Sequence, residues 1–85
     1  MQMSCKQYTI ETKVVSSNGS TDSNSNSITF INTGSVAVNV DNVVLQPGQQ
    51  LAITGNENEI CIKIFYYSFA TGANPALSII YKRYL

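Results

Sequence analysis

The sequence predicts an all-β fold: a small single-domain β-sandwich, immunoglobulin-like or jelly-roll-like, with about seven short strands across residues 1–85. Two observations lead to this prediction. Apolar residues alternate with polar ones along much of the chain, which is the period of a strand. Turn signals separate these runs at short intervals. No stretch shows helical spacing with caps, so a helical domain is not expected.

The first alternating run begins at Tyr8 and ends at Val14, and we expect it to form a strand with one solvent-facing side. The segment Ser16–Ser27 follows, and it is rich in serine and asparagine without a single apolar residue. Such a segment has nothing to bury, so we expect a flexible, exposed loop. Ile28 and Phe30 then alternate with polar residues and begin a second strand.

The middle of the chain carries two tight turns a few residues apart. The Asp41-Asn42 pair lies between β-branched runs and predicts a two-residue hairpin, because both residue types tolerate a positive φ. The Pro47-Gly48 pair has the signature of a type II turn. Three short strands therefore fit between Val36 and Ile53, and a last strand follows near the C-terminus, from Leu77 onward.

The most apolar segment is Ile60–Phe69, and both faces of the strand predicted there are largely apolar. We assign the face with the isoleucines and Tyr66 to the core. For the second face we favour contact with another protein, because tyrosine and phenylalanine on an otherwise uncharged surface are typical of protein interfaces. A fully intrachain core is the alternative. With the C-terminal tyrosine added, the candidate interaction residues are Phe65, Tyr67, Phe69 and Tyr84.

Charge and hydropathy exclude several classes of partner. The chain has five basic and five acidic residues, and its charged fraction of 12% is about half that of an average globular domain. Electrostatic attraction to nucleic acid or to an anionic membrane is therefore not expected. No apolar run approaches the length of a membrane span. The N-terminal segment lacks the pattern of a signal peptide, so we expect synthesis and folding in a cytoplasm.

Catalytic arrangements are not expected. The chain contains no histidine, so it lacks the usual base of a nucleophile–base pair. Glu57 and Glu59 are close in sequence, but nothing places them in the apolar pocket that would shift the pKa of one of them. We interpret both as residues of a solvated turn, and we predict that the protein is not an enzyme.

Metal and cofactor sites are not expected either. Asp22, Asn24 and Asn26 have the spacing that opens a calcium loop, but the glycine and the closing glutamate of such a loop are missing. Cys5 and Cys61 are not at metal-ligand spacing, and without an export signal we expect both to be free thiols.

One segment resembles a known group of proteins. The run "ITFINTGSVAVNVDNVVLQPGQQLAITGNENEI", residues 28–60, contains an Asn-Thr-Gly turn, an alternating valine strand, a Leu-x-Pro-Gly turn and an Asn/Glu-rich turn. Aromatic and basic residues follow at Tyr81–Leu85. This pattern is similar to that of small β-rich virion proteins of tailed phages of gut Bacteroidetes, the crAss-like phages among them.

The resemblance implies a structural role in the virion without catalytic residues. The implied function is that of an auxiliary capsid protein, which decorates or cements the shell. Its partners would be capsid or other virion proteins, or copies of itself, and its location would be the virion after synthesis in the host cytoplasm. A small head-fibre or tail component is an alternative within the same class.

A carbohydrate- or host-surface-binding module is the alternative from another class. Sandwich domains often bind sugars through loops that carry asparagine, aspartate and aromatic residues. In this sequence the aromatic residues fall within predicted strands, which disfavours that function. Aromatic side chains beside asparagine and aspartate at the loop tips would favour it.

Overall fold

A computed structural model describes residues 7–85 of the chain, and these residues form eight β-strands. The sequence predicted about seven. The strands are β1 (Tyr8–Val15), β2 (Gly19–Asp22), β3 (Ser27–Asn32), β4 (Val38–Val40), β5 (Val43–Leu45), β6 (Gln50–Ile53), β7 (Ile64–Phe69) and β8 (Leu77–Tyr84).

The strands form two four-stranded antiparallel sheets. The first sheet has the order β1-β8-β3-β6 and the second has the order β2-β7-β4-β5. Each strand of the first half of the chain thus pairs with its counterpart in the second half: β1 with β8, β2 with β7, β3 with β6 and β4 with β5. This is the strand order of an eight-stranded jelly roll. The predicted all-β sandwich is confirmed, and its topology is the second of the two predicted types.

The core lies between the two sheets. The first sheet contributes alternate residues of β3 and β8, and the second sheet contributes alternate residues of β4, β5 and β7. The rings of Phe30 and Phe65 meet across the sandwich, with 5.1 Å between their centroids. The buried apolar side chains are Ile28, Phe30, Val38, Val40, Leu45, Phe65, Tyr67, Leu77, Ile79 and Tyr81.

Both predicted turns in the middle of the chain are confirmed. Asp41 and Asn42 have φ values of 47° and 70°, and they join β4 to β5 with Val40 opposite Val43. Two consecutive positive φ values define the type I′ hairpin turn, whose twist matches that of the flanking strands. In the next turn Gly48 has a φ of 87°, and the N–H of Gln49 donates to the carbonyl of Gln46.

The prediction of a flexible, exposed loop over Ser16–Ser27 is wrong from Gly19 onward. Gly19–Asp22 forms β2, which pairs with β7. Burial without apolar side chains is possible because most of the buried hydroxyls and amides make hydrogen bonds, with Ser25 Oγ as the exception among the described residues. Ser23 shows this best: its Oγ donates to the carbonyl of Cys61 at 2.7 Å and accepts from the N–H of Lys63 at 2.9 Å. The buried polar residues of this segment are Thr21, Ser23, Ser25 and Asn26.

A single buried amide connects the two sheets. Asn32 ends β3 and is only 1% exposed. Its Nδ2 donates to the carbonyl of Val36 at 2.8 Å and to that of Leu45, in the second sheet, at 2.9 Å. Its Oδ1 accepts from the N–H of Gly34 at 3.0 Å. One side chain therefore bonds to three buried or half-buried backbone groups, of which the N–H of Gly34 also donates to the carbonyl of Ala76 at 3.1 Å.

We expect Asn32→Ala to lower the free energy of unfolding by about 2–3 kcal/mol, because buried carbonyls would lose their donor and gain no water. Urea denaturation at neutral pH would measure the loss. Asn56→Ala is the matched control: Asn56 is exposed, and this change should stay within about 0.5 kcal/mol. Equal effects of the two substitutions would contradict the role assigned to Asn32.

We expect Asn42→Val to destabilise the protein by about 1–2 kcal/mol, because a β-branched residue is strained at the φ of 70° found there. Asn42→Gly should be close to neutral, since glycine adopts positive φ without strain. Thermal or urea denaturation of both variants tests this. A valine variant as stable as the glycine variant would show that the turn can change type at no cost.

Candidate functional site

The structure reverses the predicted faces of β7. Phe65 and Tyr67 point into the core, with 3% and 7% of their surfaces exposed, and Phe69 is partly buried against them. The prediction that these three aromatic residues form an outward contact face is therefore wrong. The side chains of β7 do alternate between two faces, as the sequence predicts. The larger aromatic rings take the inner positions, where they bury more apolar area than isoleucine would. Ile64 and Tyr66 take the outer positions and are exposed.

Tyr84, the fourth predicted interaction residue, lies on the outward side of the first sheet. It stands opposite Tyr8 in the pairing of β1 with β8 and is half-buried. Its hydroxyl accepts a hydrogen bond of 2.9 Å from the N–H of Asn58. Tyr84 therefore borders the surface described next and is fixed in place there.

The outer side of the first sheet is an apolar surface, which we call the apolar face. Tyr8, Ile10 and Val14 of β1 are 53%, 55% and 64% exposed, so the predicted strand is confirmed but its apolar side faces outward. In the register of the sheet, Ile80 stands between Thr12 of β1 and Thr29 of β3. The residues that define the apolar face are Tyr8, Ile10, Val14, Ile31 and Ile80.

Among the described residues, charge is scarce on the apolar face. Lys82 stands opposite Ile10, and its Nζ lies 4.5 Å from the centroid of the Tyr8 ring. A cation over an aromatic face is favourable, and the contact lays the lysine stem over apolar surface. The acidic and basic residues of β1, Glu11 and Lys13, belong to the other side of the strand.

A second surface lies on the outer side of the other sheet, around an exposed tyrosine. Tyr66 is 63% exposed on β7. It borders an open cleft of about 470 Å³, a size within the range of small-molecule sites. We call this the Tyr66 cleft. The side chains that line it come from the β1–β2 connection, from β4, from the central turn and from β7: Asn18, Asn39, Asp41, Asn42, Tyr66 and Ser68.

Hydrogen bonds to the backbone hold three of these side chains. Asn18 Oδ1 accepts from the N–H of Phe69 at 2.8 Å, which attaches the β1–β2 connection to β7. Asn39 Oδ1 accepts from the N–H of Asn42 at 2.7 Å, within the hairpin. Asp41 Oδ1 accepts from the N–H of Tyr66 at 3.0 Å. The cleft is therefore built by polar side chains that also complete the strand pairing around it.

The carboxylate of Asp41 is neutralised by a neighbouring lysine. Its Oδ2 lies 2.8 Å from Lys63 Nζ. This hydrogen-bonded ion pair lowers the pKa of Asp41, with a further contribution from the N–H of Tyr66. The same contact with Asp41 raises the pKa of Lys63. The Tyr66 cleft thus carries no uncompensated charge from Asp41.

A third cleft, of about 320 Å³, lies at the edge where β1 meets β2, and an ion pair lines it. Arg83 Nη1 lies 2.8 Å from Glu11 Oε2, and the guanidinium carbon lies 4.3 Å from the centroid of the Tyr81 ring. The hydroxyls of Thr21 and Tyr81 share a hydrogen bond across the two sheets. These contacts join the sheets at their edge, whereas Arg83 Nε is buried there without a hydrogen-bond partner among the described residues.

The remaining candidate residues from the sequence, the acidic, asparagine and cysteine side chains, do not form a metal site among the described residues. Within residues 7–85, no three histidine, cysteine or acidic side chains come together in a way that could hold a metal ion. Asn26, from the calcium-like spacing, donates through Nδ2 to the carbonyls of Asn56 and Glu59. Cys61 carries a free thiol and is half-buried, whereas Cys5 lies outside the described residues. The described chain contains no helix long and apolar enough to cross a membrane.

No protein-family model, curated protein or solved structure matches this chain. The two outward surfaces are therefore the candidate functional sites of this protein. Sequence reasoning found neither the Tyr66 cleft nor the apolar face. The signal for the cleft was the asparagine and aspartate at turns, but their proximity to Tyr66 depends on long-range strand pairing.

We expect Asp41→Asn to weaken stability at neutral pH, because the neutral amide keeps the acceptor for the N–H of Tyr66 but loses the ion pair with Lys63. The difference from wild type should shrink as pH falls below the ordinary aspartate pKa near 3.8, where the wild-type carboxylate itself becomes protonated at its lowered pKa. It should also shrink as pH rises above 10.5, through the raised pKa of Lys63.

Urea denaturation of both proteins across this pH range tests the expectation. A stability difference that is constant from acid to alkaline pH would show that the ion pair contributes nothing, as is the case for many exposed pairs.

Proposed function

We propose that this protein is a structural component of a phage virion, an auxiliary capsid protein that decorates or cements the shell. It acts by protein–protein contact and not by catalysis. The single observation that carries the proposal is the apolar face, an outward sheet surface with three large, well-exposed apolar side chains and little charge. Several exposed apolar side chains on one sheet face are typical of interaction sites.

The architecture supports the proposal by analogy. Eight-stranded jelly rolls occur in viral capsid domains and in lectins, although the same fold serves many functions. The sequence resemblance over residues 28–60 supports the phage assignment. Its Pro47-Gly48 element forms a tight turn. Asn32 of its Asn-Thr-Gly element accepts a hydrogen bond from the N–H of Gly34.

The expected partner is a shell protein of the same particle. A chain with zero net charge has little electrostatic protection against association, which suits a molecule that is bound in an assembly. The tyrosine and aliphatic composition of the apolar face, with Lys82 at its border, suits a desolvated protein interface. Many weak contacts on a repeating shell would add through avidity, so each contact need not be strong.

We expect the protein to co-sediment with purified particles of the phage that encodes it, and mass spectrometry of those particles should detect it. Ile10→Glu should reduce co-sedimentation at least about tenfold, because a carboxylate would be buried in the contact without a partner. Ile64→Glu is the matched control: both isoleucines lie on outward strand faces and are 55% and 49% exposed, but on opposite sheets.

Absence of the protein from purified particles would overturn the proposal. Equal binding of Ile10→Glu and wild type would overturn the assignment of the apolar face. Sizing of the isolated protein completes the test: a stable dimer abolished by Ile10→Glu would show that the face binds a second copy and not the shell.

A further inference from the structure

The Tyr66 cleft lies on the sheet opposite the apolar face and takes no part in the function proposed above. Its outstanding feature is an aromatic ring that is well exposed although it is surrounded by polar side chains of other elements. An exposed ring in the middle of a rigid strand offers a flat apolar surface whose position hardly changes on binding. Aromatic residues in such positions are frequent anchors of binding sites, because little conformational entropy is lost.

Two of the polar side chains around the ring, Asn18 and Asn39, are oriented in advance. The oxygens of Asn18 and Asn39 are held by backbone N–H donors, so the amide nitrogen of each side chain must occupy the other position. Among residues 7–85, neither of these Nδ2 groups has a protein acceptor, and the side chain of Asn42 makes no hydrogen bond. Three amide groups and the hydroxyl of Ser68 therefore border the ring and can bond to a ligand.

The charge of the cleft selects among ligand classes. Asp41 is paired with Lys63, so the site offers neither a net negative charge for a cation nor an unpaired cation for a phosphate or a carboxylate. A nucleotide could stack on the ring but would find no partner for its phosphates. An apolar ligand would leave the amides without partners, which is unfavourable. A neutral molecule with one flat C–H face and several hydroxyls meets both requirements.

We propose that the Tyr66 cleft binds a neutral sugar ring, which stacks its C–H face on Tyr66 and bonds its hydroxyls to Asn18, Asn39 and Asn42. From the sequence alone, sugar binding is disfavoured because the aromatic residues fall within predicted strands and not at loop tips. Tyr66 does lie in a strand, but the pairing of β2 with β7 and the central turn bring asparagine and aspartate to its sides. If the apolar face is bound to a shell, the cleft remains on the outward side.

Titration followed by two-dimensional ¹H–¹⁵N NMR tests the proposal on the whole protein. The probes are methyl β-galactoside, methyl β-glucoside and N-acetylglucosamine, with glucuronic acid as the charged comparison. We expect saturable shifts of the side-chain amide signals of Asn18, Asn39 and Asn42 with at least one neutral sugar, at a Kd of about 0.1–10 mM. Glucuronic acid should bind more weakly.

Three variants make the test specific. Tyr66→Ala should weaken binding at least about tenfold, since stacking on an aromatic ring is the largest contact, whereas Tyr66→Phe should stay within about threefold of wild type. Asn42→Gly removes one amide at a φ that glycine tolerates, and it should weaken binding measurably. Tyr8→Ala is the matched control, because Tyr8 is an equally exposed strand tyrosine on the other sheet, and it should not change binding.

Absence of saturable shifts with every neutral sugar would overturn the proposal. So would shifts that persist unchanged in Tyr66→Ala, or an equal loss in Tyr8→Ala. The outcome is independent of the virion proposal, because co-sedimentation with particles depends on Ile10 and not on Tyr66. Tyr66 is 63% exposed and does not belong to the core, so Tyr66→Ala should fold, and its own NMR spectrum shows whether it does.

Discussion

The type I′ turn at Asp41 and Asn42 is the constraint on which the rest of the structure depends. It lies between β4 and β5, at the middle of the strand order, and each of the four strands before it pairs with one of the four strands after it. A turn of different length would shift the register of β4 against β5 and turn inward side chains outward. The same turn also builds the Tyr66 cleft, because Asp41 bonds to the backbone of β7 and Asn42 lies at its border.

Polar side chains stabilise the backbone segments that lie outside the apolar core. The core is small, and short strands leave many backbone groups without partners in the sheets. Asn32 supplies donors and an acceptor where β3 ends. The hydroxyl of Ser23 bonds to the carbonyl of Cys61 and to the N–H of Lys63, as a neighbouring strand would. Asparagine and serine are therefore structural residues in this chain, and their abundance does not indicate disorder.

The sequence predicts the fold class and the turns well, because alternation and positive-φ residue types are local signals. Every described non-glycine residue with positive φ is an asparagine or an aspartate. The sequence does not reveal β2, since its inward positions are polar and are satisfied only by distant partners such as Tyr81. Both sides of β7 are apolar, so alternation alone cannot decide which side is buried. The candidate sites are missed for the same reason: strand pairing across half the chain assembles them.

The nested pairing also has a kinetic consequence. The central hairpin closes a loop of two residues, whereas β1 can pair with β8 only after almost the entire chain has been brought back on itself. The entropic cost of closing a loop grows with the separation of its ends, so we expect β4 and β5 to pair first and β1 and β8 to pair last. We expect folding to take roughly milliseconds to seconds, as is usual for all-β topologies. The strands that join last carry the apolar face. A molecule that has not finished folding therefore cannot present its complete apolar face.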